Sequence, residues 1–419
     1  MASVMAAHFK PYGWICRAVG LFFVQGLQSK SVRDVRVSWK TWYALYSVVC
    51  LLCFAAGEAA VAVSNVRRIY FKVRSFTKSM ILVIFAVMVV KVTVNVATAF
   101  IGSRGMAAFF RKSAEYEKRT AFTRDITASD PGYRIFSDIT HAALSAMTKT
   151  KCHYRRFFFV VTFFAHIVVS ANLSARAVDV AGDQFLQFTL KAGVLLFNSL
   201  CFVYDVLHFV ALRPCCEVLL SYIRHQHDTL KAMLVTGNAA IVKLTGADDN
   251  GDLEMVRVNL CSIAELKKLL NDVWQYSIVA SATVVLIITC VCTYCLFDEG
   301  ISTEQLLLTM SYCFYSAVDF ADVARLSQKM SNELRELKEY LVKVSMFHES
   351  PARCAQVAYL HNSIHPEEMY LTGGSYFKLN MPLLVSLAGS IITYSVILVQ
   401  TSDSVDHQTL PRTNHSGTP

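Results

Sequence analysis

The residues with the most chemical potential lie on one face of the last apolar segment. At 100° per residue, Pro382, Ser386, Gly389, Thr393, Val396 and Gln400 fall within about 40° of a common direction. Except for Val396 this face is small and polar, whereas Leu383, Leu384, Leu387, Ile391, Ile392 and Leu398 occupy the other faces. A helix surrounded only by lipid or by an apolar core has no need of a Ser, Thr and Gln stripe. Two uses remain open. Small and hydroxyl residues allow close helix packing, and hydroxyls and amides line polar conduits by replacing hydration. One subunit offers no conduit, so the second use requires copies of this helix around an axis.

A second group of candidates is ionisable and sits inside apolar segments, where each charge is costly unless paired or hydrated. Lys91 and His166 fall near mid-depth, and Lys191 in the outer third of its segment. Tyr294, Ser311, Tyr312 and Tyr315 add rings and hydroxyls. Donors beside flat apolar walls suit a small polar molecule, which makes these seven residues the ligand-binding candidates. Asp205, Asp319 and Asp322 lie near segment ends and read as reaching cytoplasmic water. No H-E-x-x-H, G-x-S-x-G or P-loop pattern occurs, so no catalytic group is assigned. Cys50-x-x-Cys53 resembles half a zinc site but has no partner pair, so neither a metal nor a cofactor is implied.

The elements that must position these residues are membrane spans. Of 419 residues, 54% are hydrophobic and 17% charged, and mean hydropathy is +0.41. A soluble chain carries about 25% charge. Seven windows reach the roughly 20 apolar residues that cross a bilayer: 41–63, 80–101, 157–175, 185–212, 277–297, 304–324 and 379–400. The expected fold is all-α, a seven-transmembrane helical membrane protein. No signal peptide is expected, because basic residues interrupt the first forty positions and the apolar run at Leu21 to Val24 is short. With the N-terminus inside, 31 of the 40 Lys and Arg residues fall in the inner segments 1–40, 102–156, 213–276 and 325–378, and 7 in the outer ones. That asymmetry fixes a cytosolic N-terminus and an extracellular C-terminus. The outer loop 64–79, with Arg67, Arg68, Lys72, Arg74 and Lys78 and no acid, runs against it. The sequons at Asn172 and Asn414 fall outside and are glycosylation candidates. The +9 net charge is therefore topological, and no nucleic-acid partner is implied.

Mass concentrates on the cytoplasmic side. The chain divides into a cytoplasmic segment 1–40, spans one to four over 41–212 with the loop 102–156, a helical loop 213–276, spans five and six over 277–324, anchor helices over 325–378, span seven over 379–400 and a tail 401–419. Leu253, Val256, Leu260, Ile263, Leu266, Leu270 and Val273 form one helical stripe, and Leu326, Met330, Leu334, Leu337, Leu341 and Val344 another. Each stripe packs either within its own subunit or against a neighbour.

The end of the chain resembles the C-terminal signature of the arthropod gustatory receptor family, a Thr-Tyr, five mostly apolar residues, then Gln-Phe. Here it reads Thr393-Tyr394, Ser395 to Val399, then Gln400, with Thr401 in place of the Phe. Gly373, Gly374, Tyr376, Phe377 and Leu379 resemble the stretch before that family's last span. The resemblance implies a tastant-gated, non-selective cation channel, a homotetramer or a heterotetramer with related receptors, in the plasma membrane of chemosensory cells. It implies a pore lined by Ser386, Gly389, Thr393, Val396 and Gln400, with Gln400 as a ring at the outer constriction. The Thr401 departure opens Val396 or Thr393 as alternative gates. The partners implied are a small-molecule tastant, permeating cations and membrane lipids. The competing readings are a G-protein-coupled receptor, which lacks its span-three motif and outer disulfide here, and a secondary transporter, whose internal repeat is not seen.

Overall fold

The computed structural model of the chain describes residues 3–21, 24–26, 35–37, 41–72, 75–122, 184–240, 250–296, 303–345 and 351–409. Span three, with His166 and Asn172, and the end of the tail, with Asn414, lie outside the described residues. The helices are α1 (Val4–Ala18), α2 (Trp42–Lys72), α3 (Ser75–Ile101), α4 (Ser103–Thr120), α5 (Gln184–Ala240), α6 (Asn250–Cys295), α7 (Thr303–Ser345), α8 (Pro351–Ser363) and α9 (Met381–Thr409). Two small antiparallel pairs accompany them: β1 (Val24–Gln25) with β2 (Arg36–Val37), and β3 (Thr372–Gly373) with β4 (Phe377–Lys378). By length and composition, four described stretches can cross a membrane: Leu82–Ile101, Val203–Met233, Leu253–Cys295 and Met381–Thr401.

The helices do not stop where hydropathy does. α5 is 57 residues long, α6 46 and α7 43. Each runs unbroken from a predicted span into a predicted cytoplasmic segment. Pro214 lies inside α5 without ending it. α2 likewise continues to Lys72, so part of the basic outer loop is helical, and α9 continues past Gln400 to Thr409. Hydropathy records where lipid ends, whereas the backbone ladder continues wherever side chains still pack.

α6 is the central helix, contacting α3, α4, α5, α7, α8 and α9. Its approach to the α3–α4 junction is close enough to require Gly102, where an added Cβ would lie 2.5 Å from Val273 Cγ1 and 2.6 Å from the Thr98 carbonyl. Both cytoplasmic stripes are consumed inside this packing. Val256, Ile263, Leu266 and Leu270 on α6, and Met330, Leu337 and Leu341 on α7, are fully buried in one core that includes Phe109, Phe110, Tyr222 and Leu219. Most of the apolar area of both stripes is thus removed from water within the chain, while Leu260, Leu326 and Val344 are only partly buried.

Candidate functional site

The last helix packs along one side only. Leu383, Leu384 and Leu387 rest against the main core, Ser395 is buried, and Leu398 and Val399 pack on the cluster of Val291, Tyr294 and Cys295. Ser386, Gly389, Thr393, Val396 and Gln400 are all exposed on the opposite side. A Cβ added at Gly389 would meet nothing within 4 Å. The Thr393 hydroxyl donates to the Gly389 carbonyl at 3.0 Å, so its proton is satisfied by its own helix. Among the described residues, the stripe therefore packs against nothing in its own chain. Tyr394 is also exposed, at 54%.

A hairpin sets the position of this helix. Asn271 of α6 accepts the Thr372 N–H at 2.7 Å and donates to the Thr372 hydroxyl at 2.9 Å. Ser327 of α7 accepts the Leu371 N–H at 2.8 Å, and the Leu379 N–H closes the hairpin onto the Leu371 carbonyl at 2.7 Å. Glu367, held below the ordinary carboxylate value by the Lys378 hydrogen bond with help from Arg335, ties the second strand to α7. The entry to α9 is thus fixed by the two helices that descend from spans five and six.

The second site is a buried charge cluster. Lys91 of α3 places its Nζ 2.8 Å from Asp205 Oδ1 and 2.9 Å from Oδ2, with side chains 1% and 2% exposed. The Tyr312 hydroxyl of α7 donates to Asp205 Oδ2 at 2.7 Å. Its ring and that of Phe209 lie within 6 Å of the ammonium. Asn95, one turn from Lys91, donates to the Tyr204 and Asp205 carbonyls at 3.2 and 2.8 Å. One turn along α5, His208 bonds Ser281 of α6 at 2.6 Å. Four helices are joined through polar groups inside the spans.

Of the ligand candidates, Lys91 and Tyr312 are brought together. Tyr315 is buried on α7 one turn before Asp319, with which it hydrogen-bonds. Tyr294 lies apart, buried between α6, α3 and the end of α9. Ser311 is exposed on α7. Lys191 lies on α5, with its side chain outside the described residues. Asp205 and Asp322 do not simply reach water. Asp205 is the counter-ion of Lys91, and Asp322 meets Arg213 at 3.2 Å. A signal for the first pairing exists in the sequence: Lys91 is ten residues from the inner end of span two and Asp205 seven from that of span four, about 15 and 10 Å deep.

Further down, charged groups bind the cytoplasmic helices together. The Glu117 carboxylate of α4 accepts the Val4 and Met5 N–H groups at 2.8 Å each and the Tyr222 hydroxyl, so it caps α1. Sequence reading missed it, because a cap 113 residues away leaves no local pattern. Glu217 of α5 bonds His8 and Arg213, both at 3.0 Å, and Glu333 of α7 bonds His227 at 3.1 Å and Arg224 at 3.2 Å. A cavity of about 260 Å³ between α6 and α8 is lined by Leu253, Glu254, Arg257, Ala355, Gln356, Tyr359 and Leu360. It lies outside the spans and touches no ligand candidate.

Long apolar helices bundled around a buried ion pair, with a polar stripe left unpartnered among the described residues on the last of them, define a polytopic membrane protein. Residues 9–404 match the model of the 7tm chemosensory receptor family, and the chain belongs to that family. Two structures of the insect olfactory receptor OR5 from Machilis hrabei share the fold. The complex with eugenol superposes with a TM-score of 0.63 at 14% identity, covering 94% of this chain and 97% of that one. The second OR5 structure superposes with a TM-score of 0.60 at the same identity and coverage. The seven-transmembrane insect-receptor fold expected from the sequence is thereby established, and the G-protein-coupled alternative is disfavoured. No curated protein sequence matches the chain.

Proposed function

We propose that the chain is a gustatory receptor subunit, a tastant-gated non-selective cation channel assembled from four copies, or from copies together with related receptors. The carrying observation is the polar stripe on the exposed side of α9. Small and polar residues facing away from their own subunit have no purpose toward lipid, and four-fold assembly would give them one. Ser386, Gly389, Thr393, Val396 and Gln400 would line the pore, with the N-terminus cytosolic, residues 325–378 as the anchor and 379–400 as the pore helix. An amide ring at Gln400 replaces hydration without trapping the ion. The receptor would act in the plasma membrane of chemosensory cells. The tastant would enter the outer half of the bundle above Lys91 and Tyr312, whose polar groups are already engaged with Asp205 and would form its floor.

The test is current and reversal potential of Gln400→Ala and Gln400→Glu channels in a silent cell, with surface expression matched. Gln400→Ala is expected to raise leak or alter permeability, and Gln400→Glu to favour divalent cations. Unchanged gating and selectivity in both would place Gln400 off the constriction. An odorant-gated reading is the alternative favoured by the fold, because the structural neighbour was solved with eugenol. A panel holding sugars, bitter alkaloids and volatile phenols separates the two by which class opens the channel.

A further inference from the structure

We propose that the junction of α1 and α2 holds the headgroup of an anionic phospholipid of the inner leaflet. α1 and α5 touch at two levels. His8 meets Glu217 at 3.0 Å, and the Tyr204 hydroxyl donates to the Val19 carbonyl at 2.9 Å. These contacts are eleven residues apart on α1 and thirteen on α5, about 16 and 20 Å along the two axes. α1 therefore runs steeply alongside α5, in the opposite direction. Glu217 lies five residues beyond the inner end of span four and Tyr204 eight residues within it, so α1 crosses the membrane boundary. Its C-terminal end is seated against span one. The Tyr43 hydroxyl donates to the Arg17 carbonyl at 3.2 Å and the Tyr46 hydroxyl to the Ala18 carbonyl at 2.5 Å. Gly20, at φ +78°, packs so closely that an added Cβ would lie 3.0 Å from Cys50 Cβ.

The outward face of α1 at this level is aromatic and cationic. Trp14, about midway between the two contacts, comes level with the end of span four, and Trp42 opens α2. They are 60% and 86% exposed. Indoles prefer the interface between hydrocarbon and headgroups. Lys10 is exposed one turn before Trp14, and Arg17 follows it by three residues, so all three share a face. Arg17 is half-buried over the Tyr43 ring, 5.0 Å from its centroid. Among the described residues no carboxylate pairs with Arg17, and α1 contains no Asp or Glu. A guanidinium at the edge of hydrocarbon without a counter-charge is unfavourable, and a phosphodiester accepts both arms of its fork. Lys10, a turn nearer the cytosol, faces the rest of the headgroup, where a choline would be repelled and a serine carboxylate or a second phosphate attracted.

The inference rests on placing Trp14 at the membrane boundary, and its test does not depend on channel activity. The full chain, carrying Trp39→Phe and Trp42→Phe, is reconstituted in phosphatidylcholine nanodiscs in which about one lipid in ten is dibrominated phosphatidylserine or dibrominated phosphatidylcholine. Trp274 is 2% exposed and serves as the unquenched reference. Two cations near the surface should enrich the anionic lipid about thirty-fold. Quenching of Trp14 by the brominated serine lipid should then exceed that by the choline lipid several-fold. Lys10→Gln with Arg17→Gln should equalise them. Lys10→Gln alone, at an exposed position that leaves the fold intact, should reduce the preference. Equal quenching with Lys10 and Arg17 in place, a preference that survives the double substitution, or no quenching by either lipid would each overturn the proposal. Both leaflets of the disc carry the probe, so the result is independent of orientation, and a non-conducting chain that shows the preference would count against the channel reading alone.

Discussion

Removing one partner of the Lys91–Asp205 pair should damage the fold far more than removing both. At 2.8 Å and an effective dielectric of about 20, the mutual attraction is about 6 kcal/mol. Desolvating the two ions offsets most of it, at several kcal/mol each. Asp205→Asn leaves the Lys91 ammonium 1% exposed without a counter-charge, and Lys91→Met does the same to the carboxylate. Each should cost about 3–5 kcal/mol. Lys91→Met with Asp205→Leu removes both desolvation terms and should fall within about 2 kcal/mol of the unaltered chain. Tyr312→Phe, which deletes one hydrogen bond to a charged acceptor, should cost about 1.5–3 kcal/mol beside an intact pair and much less in the double variant. The assay is the fraction of receptor surviving heating as a monodisperse assembly, read by fluorescence-detected size exclusion. A double variant as damaged as the sum of the two singles would refute the reasoning, since it would show that the cost does not come from an orphaned charge.

The hairpin that sets α9 gives a second test. Asn271→Ala strips the Thr372 N–H of its acceptor, with a loss of about 1–3 kcal/mol. Asn271→Asp keeps an acceptor and should lose less in the same heating assay. pH supplies a third. Burial acts to raise Glu217 and Glu333, but the His8 and His227 hydrogen bonds and the Arg213 and Arg224 partners outweigh it and hold both carboxyls below 4.5. A carboxylate with a lowered value stabilises the fold at and above its ordinary value and loses that contribution as pH falls through its folded value. Heat resistance should therefore hold down to about pH 4.5, fall below it, and fall less steeply in Glu217→Gln. A curve for Glu217→Gln identical to that of the unaltered chain would remove Glu217 from the account.

Several of these features were legible in the sequence and others were not, for identifiable reasons. The stripe of Ser386, Gly389, Thr393, Val396 and Gln400 was legible because helical periodicity alone places its members on one side. Which side faces out was not, since that depends on Leu384 finding the main core and Leu398 finding Val291, Tyr294 and Cys295 on α6. The apolar stripes of α6 and α7 were equally legible, but periodicity cannot say whether Leu270 or Leu337 meets its own subunit or another. Opposite charges about 15 and 10 Å deep, Lys91 and Asp205, were readable in the sequence, but nearness to the inner end made water a sufficient explanation for Asp205. Glu117 and Asn271 could not have been found, because their partners are backbone groups about a hundred residues distant.

The long helices supply the physical link between the two sites. Tyr312, bound to Asp205, and Ser327, bound to the hairpin, lie fifteen residues apart on one unbroken helix, about 22 Å along its axis. Asn271 reaches the same hairpin from α6, whose span-five part carries Ser281 against His208. A bundle packed at crystal-like density does not absorb such displacements locally. Any shift that a molecule lodged above the ion pair forced on α7 would be delivered at the Leu371 N–H, ten residues before α9 begins at Met381. The loose side of α9 offers it little resistance, since the face bearing Thr393 and Gln400 packs on nothing among the described residues. Under the proposed channel reading, stiff helices above, a clamped hairpin between and a lightly held helix beyond it would carry strain from the charge cluster to the polar stripe. Had α7 been broken at the membrane boundary, this route would not exist.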